Sequence, residues 1–282
     1  MNYPKRNHYI PQFIIRNFAD SDGKVYCFSR KNDKTYAVTP KNVLLENSLY
    51  TLKDEFGRKS TQRETEFSRL ESRVARLVNR IIHEVSSGEK IISLSEDDRS
   101  LWADYLITQQ SRHPERWRSI RAEDSIPRII SQIERGGRLI HPLVKAYYLS
   151  EPMKEILAKE SWLKLNSCDK AQLESKSILM NGEIEIMVAD DSHEGFLLGD
   201  RPYNRYPREN NLALWDPETR LRNPNSSEIT ISWKFSRRPS QIGATVISIS
   251  NDVVAEYNKL VIEQSITIVG RTPEMINRLM KN

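Results

Sequence analysis

The sequence predicts an α+β fold, a central helical bundle packed with a mostly antiparallel sheet. Apolar residues at helical spacing bunch in the middle of the 282-residue chain. Short β-branched and aromatic runs bounded by turn residues lie toward both ends. Runs of helices beside runs of strands, without strict alternation, mark this class. There is no internal repeat and no low-complexity tract. We expect one domain over 1–282: an N-terminal helix and hairpin at 1–51, a helical core at 61–160, and a mixed strand and helix part at 161–282.

The first element is a helix opened by Pro11, whose fixed φ suits a first helical position. Phe13, Ile14, Ile15 and Phe18 cover most of its surface, so this N-terminus reads as packed. Lys24 to Thr39 reads as a hairpin, with strands Val25–Phe28 and Thr35–Val38 around the turn Lys31–Lys34. Pro40 to Thr51 reads as an extended connection. A long helix runs from about Thr61 to Ser86 and is ended by Gly88. The next starts at Ser95, where Asp98 three residues on makes a capping-box-like start, and runs to about Arg112. Residues 115–160 carry two or three more helices, broken near Gly136-Gly137, Pro142 and Pro152. Beyond 160, Trp162–Leu165, Glu183–Val188, Phe196–Leu198, Ser227–Phe235 and Ala244–Ile249 read as strands. Asn251–Gln264 reads as a helix, Ser265–Val269 as a strand, and Pro273–Met280 as a closing helix. The C-terminal half builds the sheet, and the N-terminal hairpin can join it to make one structural unit.

Hydrophobic residues at 38% and charged residues at 29% suit a soluble globular chain. No run approaches the ~20 apolar residues needed to span a bilayer, and the N-terminus lacks an apolar signal-peptide core. A cytoplasmic location and no membrane partner are expected. Cys27 and Cys168 give neither a disulfide framework nor a cysteine zinc site. The net charge of +5 is mild, but the basic residues cluster. Arg112 to Arg121 holds Arg116 and Trp117. A second cluster alternates Arg201, Tyr203, Arg205, Tyr206 and Arg208. A third sets Lys234, Arg237 and Arg238 beside Trp233 and Phe235. Arginine forks grip phosphates and aromatic faces stack on bases, so these are candidate nucleic-acid contacts, RNA favoured. A solvated basic loop is the bland alternative for each.

Helical geometry turns spacing into direction at ~100° per residue. On the 61–86 helix, Phe67, Leu70, Val74, Leu77, Val78, Ile81, Ile82 and Val85 form one apolar arc. Arg69, Arg73, Arg76 and Arg80 form a stripe opposite. Glu64 and Glu71, seven apart, lie nearly above one another, and Glu71 falls inside the apolar arc. A charged carboxylate there is costly unless paired, protonated or metal-bound. On the next helix, Gln109 and Arg112 project from the face of Leu101, Trp102, Tyr105 and Leu106. Gln12 and Arg16 share a face of the first helix, with His8 just before it. Asp200 follows an apolar strand in a loop position typical of functional carboxylates.

We therefore expect His8, Gln12, Arg16, Glu64, Glu71, Gln109, Arg112 and Asp200 to converge. A structural network, with Glu71 paired to Arg112 or Arg16, fits this pattern, and so does an active site. In the second case His8, Gln12, Arg16, Glu71, Gln109 and Arg112 are catalytic candidates. Glu64, Glu71 and Asp200 would then hold Mg²⁺ or Mn²⁺, with Arg16 and Arg112 steadying a phosphate. A metal-free version uses His8 and Glu71 as base and acid on an RNA 2′-hydroxyl. His83, His113, His141 and His193 read as surface, capping or turn residues. The absence of a phosphate-binding loop, a dinucleotide fingerprint and a serine-hydrolase elbow disfavours a motor, a dehydrogenase and an esterase.

The run His8-Tyr9-Ile10-Pro11-Gln12-Phe13-Ile14-Ile15-Arg16-Asn17-Phe18 resembles the N-terminal signature of a bacterial family, domain-of-unknown-function family 4238. Glu64 to Glu71, Gln109 to Pro114, Gly199 to Pro202 and Glu256-Tyr257-Asn258 continue the resemblance in order. Gly199 and Arg201 stand where the family usually has Ser and Asn, which implies a changed role for that loop. The resemblance carries no activity. From the residues we expect a nuclease-like bacterial effector that cleaves RNA or DNA, in phage defence or toxin-type growth arrest. A nucleotide or dinucleotide hydrolase stays open. So does a non-enzymatic nucleic-acid or protein-binding module, with a regulatory protein as partner; this last predicts a fully self-satisfied polar cluster.

Overall fold

Alternating strands of the C-terminal half bury two faces, and the fold follows from what covers each. The computed structural model describes residues 6–53, 59–114, 130–131, 133–137, 139–150, 153, 170–189, 195–201, 203–206, 220–234 and 243–281. The elements in order are β1 (Arg6–His8), α1 (Gln12–Arg16), β2 (Val25–Ser29), β3 (Lys34–Val38), β4 (Leu45–Asn47), β5 (Leu52–Lys53), β6 (Lys59–Ser60), α2 (Gln62–Ser86), β7 (Ile91–Ser93) and α3 (Glu96–Arg112). They continue with α4 (Pro142–Tyr148), α5 (Lys170–Met180), β8 (Glu183–Ala189), β9 (Leu198–Gly199), β10 (Asn204–Tyr206), β11 (Arg220–Pro224), β12 (Ile229–Lys234), β13 (Gly243–Ile249), α6 (Asn251–Gln264), β14 (Thr267–Gly270) and α7 (Pro273–Lys281). The chain is α+β, as expected. No helix among the described residues is long and apolar enough to cross a membrane.

A six-stranded sheet runs β10-β11-β12-β8-β13-β7. Its neighbours are antiparallel except β13 and β8, which run parallel. On β8, Ile184 and Ile186 enter the main core with Ile231 and Trp233 of β12 and Leu77, Val78, Trp102 and Tyr105 of α2 and α3. Met187, one residue out of phase, joins Val254, Tyr257 and Val261 of α6 in a second core. Successive side chains of a strand point to opposite faces, so α2 and α3 cover one face and α6 part of the other. A second sheet runs β3-β2-β14-β9, with β14 antiparallel to both neighbours. The N-terminal hairpin thus joins C-terminal strands. Ile10, Ile14, Ile15 and Phe18 pack under this sheet against Val25, Cys27, Leu198 and Val269, which accounts for the apolar N-terminus.

Ser95 and Asp98 make the capping box reciprocally. Arg80 donates to Asp98 Oδ2 at 2.8 Å and so pins α2 to the start of α3. Arg69, Arg73 and Arg76 are exposed. His141 caps α4, its Nδ1 accepting from the Leu143 amide at 3.3 Å. The Trp233 indole packs against Gly182, where an added Cβ would meet its Nε1 at 1.8 Å. The same Nε1 donates to Leu179 O at 2.8 Å.

Several elements differ from expectation. Pro40–Asn42 is a 3-10 turn, and β4 within the expected connection pairs with β1, His8 opposite Leu45. β7 adds an edge strand from the helical part, too short for a periodic signal. β11 reads Arg-Leu-Arg-Asn-Pro, and its charge hides its strand character. The expected strand Trp162–Leu165 and most of the helices over 115–160 fall outside the described residues.

Candidate functional site

The last turn of α3 brings Gln109 and Arg112 against β1, α2 and the segment ending at Tyr50. The Arg112 side chain is 3% exposed and that of Glu71 is 23%. Arg112 Nη1 donates to Glu71 Oε1, Nη2 to the main-chain oxygen of His8, and Nε to Tyr50 Oη at 3.0 Å. The Gln109 amide, oriented to suit its neighbours, donates to Tyr9 O at 3.1 Å and accepts from Arg112 Nη1 at 3.0 Å. The guanidinium carbon lies 5.1 Å from the Tyr50 ring centroid and 4.8 Å from that of Phe67. Those two rings meet edge to face at 4.8 Å. One cation thus joins four separate chain segments through charge-assisted bonds and two aromatic faces. Beside it, Asn7 Nδ2 donates to Glu64 Oε2 at 2.9 Å. His8 Nε2 lies 3.2 Å from Pro40 O.

Burial sets the electrostatics. It lowers the pKa of His8 below its ordinary 6.5, with Glu71 opposing and Arg112 reinforcing that shift. It raises the carboxyl pKa of Glu64 above its ordinary value; Arg112 opposes and Glu71 adds to the rise. Burial disfavours the charge of Arg112 as well, but Tyr50 and Glu71 around it reverse the direction. His8 and Glu64 therefore both lie within the electrostatic reach of the Glu71–Arg112 pair.

Residues 6–274 match the family model described as Protein of unknown function (DUF4238). The chain belongs to this family. Nothing among the curated proteins or the solved structures matches it. In this DUF4238 member, residues 8–18 supply both the apolar underside of the second sheet and the His8 and Tyr9 carbonyls that meet Arg112 and Gln109.

Of the expected residues, His8, Glu64, Glu71, Gln109 and Arg112 come together. Gln12 and Arg16 turn outward: Arg16 is exposed and donates to Gln12 Oε1 at 2.7 Å. On a five-residue helix whose apolar side is buried, the polar pair takes the solvent side. Glu64, Glu71 and Asp200 do not form the expected Mg²⁺ or Mn²⁺ set. Asp200 Oδ2 accepts the amides of Ile266 and Thr267 at 3.0 Å each, holding the entry to β14. Among the described residues, no group of three His, Cys, Asp or Glu side chains is disposed to hold a metal ion. The expected phosphate grip of Arg112 gives way to an internal one, since Glu71, Gln109, His8 and Tyr50 occupy four of its five N–H groups.

The basic clusters change too. Trp233 is buried at 1% exposure and is no stacking platform. Tyr203 packs against the main core, and Arg201 donates to Gln264 O at 2.9 Å. Arg205 and Tyr206 belong to β10, paired with Leu221 and Arg220. Arg116, Trp117, Arg208, Phe235, Arg237, Arg238 and His193 lie outside the described residues. His113 meets Tyr9 edge to face at 5.4 Å. Tyr50, Asn7 and Phe67 escaped notice as site members. Tyr50 carries no signal in the sequence, and that of the other two is position: Asn7 precedes His8, and Phe67 stands midway between Glu64 and Glu71 on the same helix.

Proposed function

We propose that the protein is a nuclease-like effector that cleaves RNA by acid–base chemistry, with His8 as proton acceptor and Glu64 as proton donor. The His8 ring is the main support. A carbonyl oxygen only accepts, so Nε2 beside Pro40 O carries the ring proton and Nδ1 carries the lone pair. A lowered pKa keeps that ring neutral near pH 7. A neutral imidazole with an assigned lone pair is a general base. On RNA, Nδ1 takes the 2′-hydroxyl proton and the 2′-oxygen attacks phosphorus. The P–O5′ bond breaks, and the departing oxygen takes a proton from Glu64, whose raised pKa suits an acid. Glu71 is committed to Arg112, and that pair orients the site. The exposed arginines of α2 favour a polymer over a free nucleotide. A cytoplasmic setting, in defence or growth arrest, suits such a target.

A second reading is a non-enzymatic module that binds nucleic acid or a regulatory protein. The internal satisfaction of Arg112 favours it. Incubation with total RNA, plasmid DNA and nucleotides, each with Mg²⁺, Mn²⁺ or chelator, separates the two. The nuclease predicts RNA products in all three conditions and their loss in His8→Ala. RNA bound but intact in every condition supports the module.

A further inference from the structure

Asn204, Arg222, Ser232 and Glu185 form one cross-strand row of the six-stranded sheet. The register sets Asn204 opposite Arg222, Arg222 opposite Ser232, and Ser232 opposite Glu185. Leu221, Ile231 and Trp233 point into the main core, so Arg222 and Ser232 face the α6 side. Inward of the row lies the apolar layer of Met187 and α6. There the buried Tyr257 hydroxyl accepts from Asn204 Nδ2 at 3.1 Å. Outward lie Arg220 and Lys234, both partly exposed. Arg220 Nη1 is 3.3 Å from Glu185 Oε2. The row is thus the seam between an apolar layer and the partly exposed Arg220 and Lys234.

This seam is more polar than its burial warrants. Asn204 and Ser232 are each 1% exposed and Arg222 is 8% exposed. Asn204 Oδ1 and Ser232 Oγ find no hydrogen-bond partner among the described residues. Buried polar atoms are nearly always paired, because an orphan gives up its hydration without return. Two orphans on either side of a buried guanidinium mark a place prepared for a polar guest.

We propose that the seam is an oxyanion site that takes a phosphate group. Arg222 supplies a permanent charge and a planar fork. Ser232 Oγ supplies a hydroxyl donor. The Tyr257 hydroxyl can serve either atom of the Asn204 amide. Turning that amide lets Oδ1 accept from Tyr257 and releases Nδ2 toward the guest. Arg220 and Lys234, both partly exposed, draw the anion toward the row, and Glu185 bounds the site on the β8 side. The site is separate from the Arg112 cluster and stands whether or not that cluster cleaves RNA.

The test is a thermal melt of the full chain against inorganic phosphate, with chloride at matched ionic strength and a 5′-nucleoside monophosphate in parallel. Phosphate should raise Tm saturably where chloride does not. Ser232→Ala and Arg222→Lys should each weaken that effect by about tenfold in apparent Kd, the scale of one lost charge-assisted bond. Ser232→Ala removes a single orphan hydroxyl, so it keeps the test sound if Arg222→Lys fails to fold. A larger response to the monophosphate means that the group is carried on a nucleoside; an equal response means free phosphate. No phosphate-specific shift in the wild type, or an unchanged Kd in Ser232→Ala, overturns the site.

Discussion

Arg112 Nη2 donates to the main-chain oxygen of His8, 104 residues earlier in the chain. The bond fastens the end of α3 to β1 through a backbone atom. The His8 side chain is therefore available for other work, while the arginine depends on Glu71, Tyr50 and Gln109 to stay paired.

Breaking that arginine's network should be costly. Arg112→Ala and Glu71→Ala should each destabilise by about 3–5 kcal/mol, because each orphans a buried charge or its partners. Tyr50→Phe removes only the hydroxyl bonded to Nε and should cost about 1–3 kcal/mol. Arg76→Ala, on the exposed side of α2, should stay within about 0.5 kcal/mol. Denaturant melts rank the four; equal, small changes would mean that the network does not hold the fold.

The His8 and Glu64 shifts make opposite pH predictions. The folded pKa of His8 lies below 6.5. Between that value and 6.5 the unfolded chain binds the proton and the folded chain does not. Stability therefore rises with pH through this window, and the penalty is full below it. The folded pKa of Glu64 lies above 4.5. Between 4.5 and that value the folded chain holds the extra proton, so this contribution falls as pH rises. As pH drops below 6.5, wild type should lose stability relative to His8→Ala. Glu64→Gln should remove the opposing trend above 4.5. Melts across pH read both; parallel curves for all three proteins would refute the shifts.

Gly182 tests the packing of the main core. A methyl group there would occupy the space of the Trp233 indole and disturb its bond to Leu179. Gly182→Ala should cost at least about 1–3 kcal/mol, the usual range for overpacking. Near-UV circular dichroism should register the displaced tryptophan. An unchanged melt and spectrum would show that the indole can shift without loss.

Arg69, Arg73 and Arg76 stand four and three residues apart on the exposed side of α2, within one neighbourhood of the helix surface. If they contact RNA phosphates, replacing all three with Gln should flatten the salt dependence of binding by ~2 log units per log unit of salt. Fluorescence titrations at two salt concentrations measure the slope. An unaltered slope would remove this stripe from the interface.

Much of the fold was legible because its long elements carry periodic signals. α2, α3, α6 and the hairpin β2–β3 follow from spacing, and the Ser95–Asp98 cap from two residues. β1, β4 and β7 were not legible, since three residues make no period and their pairing lies far away in sequence. β11 was masked by its arginines. In the candidate site, Glu71 stood out because a carboxylate in an apolar arc needs a partner, and Arg112 is that partner. Asp200 misled because a carboxylate after a strand serves equally to accept backbone amides, as it does from Ile266 and Thr267. Tyr50 gave no sign, because its role depends on a cation brought beside it by the tertiary fold.

The most direct test of the proposed chemistry is cleavage of total RNA by the full chain in the presence of a chelator, with wild type and His8→Ala side by side. Wild type should yield fragments without added metal. His8→Ala should fold, with a melt within about 1 kcal/mol of wild type, the scale of its single lost hydrogen bond to Pro40. Its turnover should fall ~10²-fold or more. Intact RNA with the wild type, or equal cleavage by a folded His8→Ala, would contradict an acid–base site at His8.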